Sequence, residues 1–262
     1  SGTGELRLSI LAARGHKLAV VDSGQIEARV NGWLWGQDDL MDAFRDADAG
    51  NGRDAYCRFA DNIYGREITK ADTVERFIGK VAVLSLGYGA GANKFQWMLA
   101  RGALGGPRMT FVLDECQGIV STYRRTNYKI TNGWKTCGSI IEDMAAGREG
   151  SHKCLSWEKE RVWLPNGMSL KYPDLRCEKD DNGWDEWTYR SGTIRKKIYS
   201  AHLNENFCQS LARIIVAEQM LMIDKKYPIV MTTHDEAVAH PRTSQAEACF
   251  KYMTKCFRTP LW

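Results

Sequence analysis

Apolar residues along the chain occur in two patterns, and the short continuous runs predict strands. Residues 17–21 are apolar and end in Asp22, which predicts a buried strand with a carboxylate at its edge. Residues 228–233 and 237–239 are two further apolar runs, and they flank the polar tripeptide His234-Asp-Glu. This arrangement predicts a hairpin whose tip presents Asp235. One more apolar strand is expected soon after the opening residues 1–4.

Apolar residues spaced three or four positions apart predict helices. Such a helix starts near Ile26, and another starts near Thr69, where Thr69-x-x-Asp72 is typical of a capping box. The second helix should end at the glycine-rich residues 87–91. Two more helices are expected, at 110–125 and 198–223.

Two segments lack a clear period. Residues 38–54 are acidic and contain glycine, which predicts a loop with short helical pieces. Residues 135–192 combine many Gly, Trp and charged residues and predict irregular structure. Within them, the apolar runs around Pro165-Asn-Gly predict a hairpin.

Composition limits the class of protein. The 262 residues are 44% hydrophobic and 26% charged, which is typical of a folded globular chain. The net charge of +4 is compatible with a polyanionic partner but does not identify one. Eight cysteines without a C-x-x-C pair predict reduced thiols of an intracellular, cytoplasmic protein. Neither a signal peptide nor a membrane span is recognised in the sequence.

The carboxylates at the strand edges are the first candidates for chemistry. If the strands carrying Asp22 and Asp235 are neighbours in one sheet, the two side chains can share divalent metal ions. Such hard oxygen ligands suit Mg²⁺. Each Asp taken alone could equally be a cap or a surface residue.

Two helices carry stripes of polar side chains. One stripe consists of residues at intervals of four positions, Arg76, Lys80, Leu84 and Tyr88. Its two cations could hold the phosphates of a nucleoside triphosphate, and the ring of Tyr88 could stack. The alternative is a solvated basic face. The helix at 198–223 has its own polar stripe, suited either to the minor groove of a duplex or simply to water. That stripe comprises His202, Glu205, Asn206, Gln209 and Arg213.

The order of these motifs resembles a family A, DNA polymerase I-like enzyme. The matching pieces are Asp22-Ser-Gly-Gln-Ile-Glu, Arg76-x3-Lys80-x3-Leu84-x3-Tyr88-Gly, Glu205-Asn-x-x-Gln209 and His234-Asp-Glu. Bacteriophage members are similar in the segments Leu164-Pro-Asn-Gly and Trp187-Thr-Tyr-Arg-Ser-Gly. The resemblance runs from about residue 6 to the end, and it is only partial over 135–192.

The resemblance implies a role for each motif residue. Asp22, Asp235 and the Ser23 carbonyl would hold two Mg²⁺ ions, with Mn²⁺ as a substitute, and Glu236 would support them. Glu27 would exclude a ribose 2′-hydroxyl. The dNTP contacts would be Gln25, Glu27, Tyr56, Arg76, Lys80, Leu84 and Tyr88. The template–primer contacts would be Tyr88, Gly89, Asn206, Gln209, Arg213 and His234.

The chain departs from the family in several places. Leu84 stands where the family usually has an aromatic residue, and Ser23 and Gly24 replace an aromatic residue and a serine. Neither a thumb nor a proofreading exonuclease is recognised. The chain is therefore expected to be a fragment or a reduced relative that needs a missing segment or a processivity partner.

The resemblance implies an α+β fold, a right-hand polymerase core with an antiparallel palm sheet and inserted helical fingers. The palm would comprise residues 1–45 and 195–262, and the fingers residues 46–194, with 135–192 unassigned. The expected partners are a DNA template–primer and dNTPs, and no membrane. The alternatives are a catalytically silent template–primer-binding fragment and another metal-dependent phosphoryl-transfer enzyme such as a nuclease.

Overall fold

The structure is a computed structural model that describes residues 9–50 and 53–262. The strand expected soon after residues 1–4 lies outside the described residues. The chain divides into two compact units. Unit 1 contains the residues up to Ile26 together with Ser210–Trp262, and unit 2 is Glu27–Gln209. Both boundaries fall inside a helix, since Ile26–Trp35 and Ser200–Asp224 are continuous.

Helices and strands alternate in blocks along the chain. The helices are α1 (Ile26–Trp35), α2 (Asp38–Asp48), α3 (Ala55–Tyr64), α4 (Thr73–Leu86), α5 (Ala92–Ala100), α6 (Leu113–Thr126), α7 (Tyr128–Ala146), α8 (Ser200–Asp224) and α9 (Ala246–Phe257). The strands are β1 (Ala19–Asp22), β2 (Gly150–His152), β3 (Leu155–Glu158), β4 (Arg161–Trp163), β5 (Ser169–Lys171), β6 (Arg176–Lys179), β7 (Asp185–Ser191), β8 (Ile194–Lys197), β9 (Ile229–Thr233) and β10 (Glu236–Ala239).

Unit 1 is built on an antiparallel sheet of three strands in the order β1-β10-β9. Every residue of β10 is buried, as expected of a central strand. Side chains from β1, β10, the second half of α8 and α9 form one apolar core, with Ile223, Ala237 and Met253 fully enclosed. The predicted strand before Asp22 and the predicted hairpin around His234-Asp-Glu are both confirmed.

Unit 2 is mainly helical, and helices α1 to α6 enclose its main core. Helix α4 is central, because Phe77, Ile78, Val81, Ala82 and Leu86 are buried along one of its faces. Gly79 allows α4 to approach α3, since a Cβ there would lie 2.2 Å from the Tyr56 carbonyl oxygen. The predicted helices at 110–125 and 198–223 are confirmed as α6 and α8.

Two small antiparallel sheets follow α7. The first has the order β2-β3-β4-β5 and the second β6-β7-β8. The hairpin predicted around Pro165-Asn-Gly is confirmed as β4–β5, with Val162 opposite Leu170. The expectation of irregular structure over 135–192 is wrong, because residues 135–146 continue α7 and much of the rest forms these strands.

Two further expectations need correction. Residues 38–48 form one continuous helix, α2, rather than a loop with short helical pieces, because Ala43 and Phe44 are buried on one face while the acidic residues cover the other. Helix α4 begins at Thr73, not near Thr69. The Asp72 carboxylate accepts hydrogen bonds from the Thr69 amide at 2.8 Å and its hydroxyl at 2.9 Å, so these residues form a turn ahead of the helix.

Within the described residues, none of the helices combines the length and apolar character needed to cross a membrane. All eight cysteines are free thiols, as predicted, and Cys57, Cys116, Cys137, Cys208, Cys249 and Cys256 are buried.

Candidate active site

The acidic residues of unit 1 meet at one end of its sheet. Asp22, the last residue of β1, pairs in register with Glu236, the first residue of β10. The backbone N–H of Ser23 donates to the carbonyl oxygen of Asp235 at 3.1 Å. Residues directly opposite in an antiparallel pair project from the same face of the sheet, so Asp22 and Glu236 share a face. The antiparallel pairing thus brings together carboxylates from opposite ends of the chain.

Burial differs among these carboxylates. Asp22 is exposed, Asp235 is half-buried and Glu236 is buried. The direct partner of Asp22 across the ladder is Glu236, while Asp235 lies one residue beyond the paired strands. Two acidic groups are therefore open to solvent at this end of the sheet, and the third is held inside it.

The backbone is strained on both sides of this acidic cluster. His234, in the two-residue turn between β9 and β10, has φ +53, and Gln25, between β1 and α1, has φ +62. Residues other than glycine rarely adopt such angles, which cost about 1 kcal/mol each and concentrate at functional sites. Arg213 of α8 donates to the His234 carbonyl oxygen at 3.5 Å, so a cation also lies beside this turn.

The chemistry of the acidic cluster fits a hard divalent cation. Carboxylate and backbone carbonyl oxygens are the ligands that Mg²⁺ uses, usually with water and substrate phosphate completing the shell. In residues 9–50 and 53–262 there is no group of three or more His, Cys, Asp or Glu side chains arranged to hold a metal by themselves.

In unit 2, helix α4 carries the predicted cations. Arg76 and Lys80 are one turn apart, which places their Cβ atoms roughly 6 Å apart. Lys80 is half-buried, and no carboxylate in the described part of the chain forms an ion pair with it. Leu84, one turn further along, packs partly against the apolar core of unit 2. One basic side chain on this stripe is therefore available to an anion.

Arg76 has a partner that the sequence reading missed. The Asp54 carboxylate accepts a hydrogen bond from Arg76 Nε at 2.8 Å, and the same oxygen forms an ion pair with Arg76 Nη2 at 2.6 Å. Asp54 also caps α3 by accepting from the Cys57 amide at 3.0 Å. Burial alone would raise the pKa of Asp54, but these hydrogen bonds outweigh it and hold the pKa below its usual value. The feature of the sequence that could have drawn attention to Asp54 is its position at the N-cap of α3, where Asp is a preferred residue.

Tyr56 lies beneath the same guanidinium group. Its ring is buried in the core of unit 2, and the Arg76 guanidinium carbon lies 5.6 Å from the ring centroid. An aromatic face at this distance attracts the cation. Asp54 and Tyr56 together fix Arg76 on the surface of α3 and α4.

The environment of Tyr88 keeps its hydroxyl protonated. Burial raises the pKa of the Tyr88 hydroxyl far above its usual value, and the charges of Glu27 and Glu205 add to this effect. The Tyr88 hydroxyl can therefore donate a hydrogen bond but carries no charge.

A buried polar network, also missed by the sequence reading, fixes the turn before Tyr88. The Gly87 carbonyl oxygen accepts hydrogen bonds from Asn31 Nδ2 at 3.3 Å, Trp134 Nε1 at 3.2 Å and Asn204 Nδ2 at 3.3 Å. Asn204 also accepts from Trp35 Nε1 at 2.6 Å. Because the amides are buried, only the fold could reveal that they meet at one carbonyl.

Gly89 completes the turn. Its φ is +80, and a Cβ there would lie 2.5 Å from the Cβ of Ala201. Both the backbone angle and the lack of space require glycine. The family motif Tyr-Gly thus has a structural reason in this chain.

The polar stripe of α8 is only partly open. Asn206 donates to the Tyr172 hydroxyl at 3.0 Å and is half-buried, whereas Gln209 is exposed and contacts Glu205 at 3.4 Å. The opposite face is buried as predicted, with Leu203, Phe207 and Leu211 fully enclosed. Gln209 is therefore the amide of this stripe most open to a ligand within unit 2.

Comparison with known proteins finds similarity in sequence and in fold, although no family model matches the chain. The chain is 30% identical to a DNA polymerase of Bacillus phage SP02 over 246 residues, covering 89% of this chain and 37% of that protein. Its fold is similar to the POL domain of Pol1 from M. smegmatis in complex with DNA primer-template and dNTP. That match has a TM-score of 0.65 and 14% identity, and it covers 96% of this chain and 38% of the other.

The chain thus spans less than two-fifths of the length of each of these two proteins. One match is in sequence and the other in fold, and both are to DNA polymerases. Together they confirm the resemblance of this chain to the family A DNA polymerases.

Proposed function

We propose that this chain is the palm and fingers portion of a template-directed DNA polymerase. It would add dNTPs to a primer 3′-hydroxyl and release pyrophosphate. The observation that carries the proposal is the pairing of β1 with β10, which gathers Asp22, Asp235 and Glu236 at one end of the sheet. The sequence relationship to a phage DNA polymerase supports it.

We assign the palm role to unit 1 and the fingers role to unit 2. Asp22, Asp235 and the Ser23 carbonyl would hold two Mg²⁺ ions, and the buried Glu236 would support them. When bound, such ions lower the pKa of an attacking hydroxyl and stabilise charge on the phosphoryl oxygens. His234 and Arg213 would lie along the template–primer.

The cations of α4 would bind the triphosphate. Lys80, which has no carboxylate partner among the described residues, would meet it directly. Arg76 would either exchange Asp54 for a phosphate oxygen or contact the phosphate with its remaining N–H groups. Their charge offsets the negative charge that develops during phosphoryl transfer. Tyr56 would act by supporting Arg76.

The sugar and base of the nucleotide would be surrounded by Gln25, Glu27, Leu84 and Tyr88. Glu27 would crowd the 2′ position, so that a deoxyribose is accepted and a ribose is rejected. The template–primer duplex would be contacted by Tyr88, Gly89, Asn206 and Gln209. As a relative of a phage polymerase, the chain would work in the cytoplasm of an infected cell.

Extension of a labelled primer on a DNA template tests the proposal. We expect Mg²⁺-dependent addition of dNTPs in preference to ribonucleotides. Asp235→Asn should abolish extension, since it removes a charged metal ligand. The matched control Glu218→Gln, which removes an exposed carboxylate of α8, should extend normally. DNA binding without any extension by the folded wild-type chain would favour the silent template–primer-binding fragment instead.

A further inference from the structure

A second charged site lies in unit 1, at the other end of its sheet. A cavity of about 340 Å³ opens where β1 and β9 begin and β10 ends. His16 lies before the first residue of β1, and Asp22 is the last residue of that strand, so the cavity and the acidic cluster lie at opposite ends of β1. This end of the sheet is separate from the acidic cluster.

The cavity is lined by groups that attract anions. Its walls include His16, Lys226, His240, Arg242 and Gln245, and no Asp or Glu of residues 9–50 and 53–262 lines it. Lys226 and Arg242 form no ion pair with a carboxylate within the described part of the chain. Cations of this kind gain from an anion that supplies oxygen acceptors.

The two histidines are held as a stacked pair. Their ring centroids are 4.6 Å apart and the planes differ by 13°. The Ala13 amide donates to His240 Nε2 at 3.1 Å, so the proton of neutral His240 is on Nδ1. His16 Nδ1 lies 3.3 Å from the Arg14 carbonyl oxygen and donates to it, which fixes the His16 ring against the loop before β1. His240 can therefore offer its Nδ1–H group to an anion, while the His16 ring supports it by stacking.

The backbone fixes the walls of the cavity. The Lys17 amide donates to the Pro241 carbonyl at 3.0 Å, and the Thr243 amide donates to the Gly15 carbonyl at 2.9 Å. Lys226 Nζ lies 5.5 Å from the ring centroid of Tyr227 and 5.0 Å from that of Tyr252. These contacts fix the backbone around the cavity and the position of the Lys226 side chain before any ligand arrives.

We propose that this cavity binds a phosphate group. Two cations, the Nδ1–H group of His240 and an amide match the several acceptor oxygens of a phosphate, and the lining residues offer no competing carboxylate. The phosphate could belong to the DNA backbone or to a free phosphate compound. The site stands apart from the proposed metal ligands, so it does not depend on the proposed polymerase activity.

The test is NMR of the histidine rings in the full chain during titration with inorganic phosphate. The chain has five histidines. We expect the ring signals of His16 and His240 to move together and saturate, while those of His152 and His202 stay unchanged. Arg242→Gln should weaken phosphate binding by about tenfold, the scale of one charge-assisted hydrogen bond. Lys251→Gln, which removes an exposed cation of α9, should bind as the wild type does.

Several results would overturn the site. These are the lack of a saturable shift, equal shifts in all rings, or equal affinity of Arg242→Gln and Lys251→Gln. Lys226→Gln provides a second variant if Arg242→Gln fails to fold. A second titration with a DNA duplex identifies the source of the phosphate. If DNA moves the same two rings and phosphate competes, the ligand is the DNA backbone. If DNA leaves them unmoved, it is a free phosphate compound.

Discussion

At the scale of single residues, Arg76 is the side chain whose surroundings decide its chemistry. The family resemblance assigns it to the triphosphate, yet in this structure Asp54 forms a hydrogen bond and an ion pair with it. The side chain of Asp54 is only 14% exposed, so the pair is poorly screened by water. Asp54 therefore holds Arg76 in a defined position and offsets its positive charge.

Asp54→Asn tests this pair. Asn can still cap α3, so the substitution removes mainly the charge. We expect the free energy of unfolding to fall by about 1–2 kcal/mol near pH 7. The pKa of Asp54 is below 3.8 in the folded chain, so the stabilisation is present above that value and is lost as the pH falls through the folded pKa. The difference between variant and wild type should therefore shrink below about pH 4.

Urea denaturation at several pH values provides the measurement. Asp46→Asn is the matched control, because it breaks the Asp46–Arg58 pair, whose side chains are 51% and 37% exposed. Exposed pairs of this kind contribute little, so the control should be nearly neutral. A stability loss in Asp54→Asn that is the same at pH 7 and pH 3 would show that the charge is not responsible.

At the scale of elements, the backbone at the C-terminal end of α4 is fixed by several specific contacts. The buried amides of Asn31 and Asn204 fix the Gly87 carbonyl, and Gly89 turns the chain against Ala201. Tyr88 lies between these two glycines, so its position depends on both of them.

Gly89→Ala should destabilise the chain by about 2 kcal/mol or more. The left-handed backbone angle alone costs about 1 kcal/mol for a residue with a Cβ, and the new methyl group would collide with Ala201. Thermal unfolding followed by circular dichroism provides the measurement.

Gly118→Ala in α6 is the matched control, because a Cβ there meets nothing within 4 Å. It should stabilise the chain by about 0.5–1 kcal/mol, the usual gain for Ala over Gly within a helix. Equal effects of the two substitutions would contradict the proposed role of Gly89.

The sequence predicted the helices and strands that have a regular apolar spacing better than it predicted the tertiary contacts around them. The strand before Asp22, the His234-Asp-Glu hairpin and α8 follow from apolar spacing alone. Helix α2 was missed because its many acidic residues suggest a loop, although Phe44 anchors it in the core. Propensity and composition cannot show such a tertiary contact.

The candidate site likewise contains residues that the sequence could identify and contacts that it could not. Residues with a motif, such as Asp22, Lys80 and Tyr88, could be named from their order along the chain. The contacts of Asp54 and Asn204 could not, because they join residues that are far apart in sequence and follow no fixed spacing. Pairing partners of this kind become visible only when the chain is folded.

At the scale of the whole molecule, each unit carries one part of the proposed chemistry. Unit 1 supplies acidic groups from both ends of the chain, and unit 2 supplies the cations of α4. The chain spans less than two-fifths of the polymerases that it matches. Its proposed activity therefore has to be measured on this chain itself.

The central claim is that Asp22 and Asp235 act together on the same metal ions. The most direct measurement is the rate of addition of one dNTP to a primer as a function of Mg²⁺, in a double-mutant cycle. We expect Asp22→Asn and Asp235→Asn each to reduce the rate by about 10³-fold or more. The double variant should be no slower than either single variant, since groups that act as one unit are not additive. Near wild-type rates in either single variant, or losses that multiply in the double variant, would contradict the shared metal site.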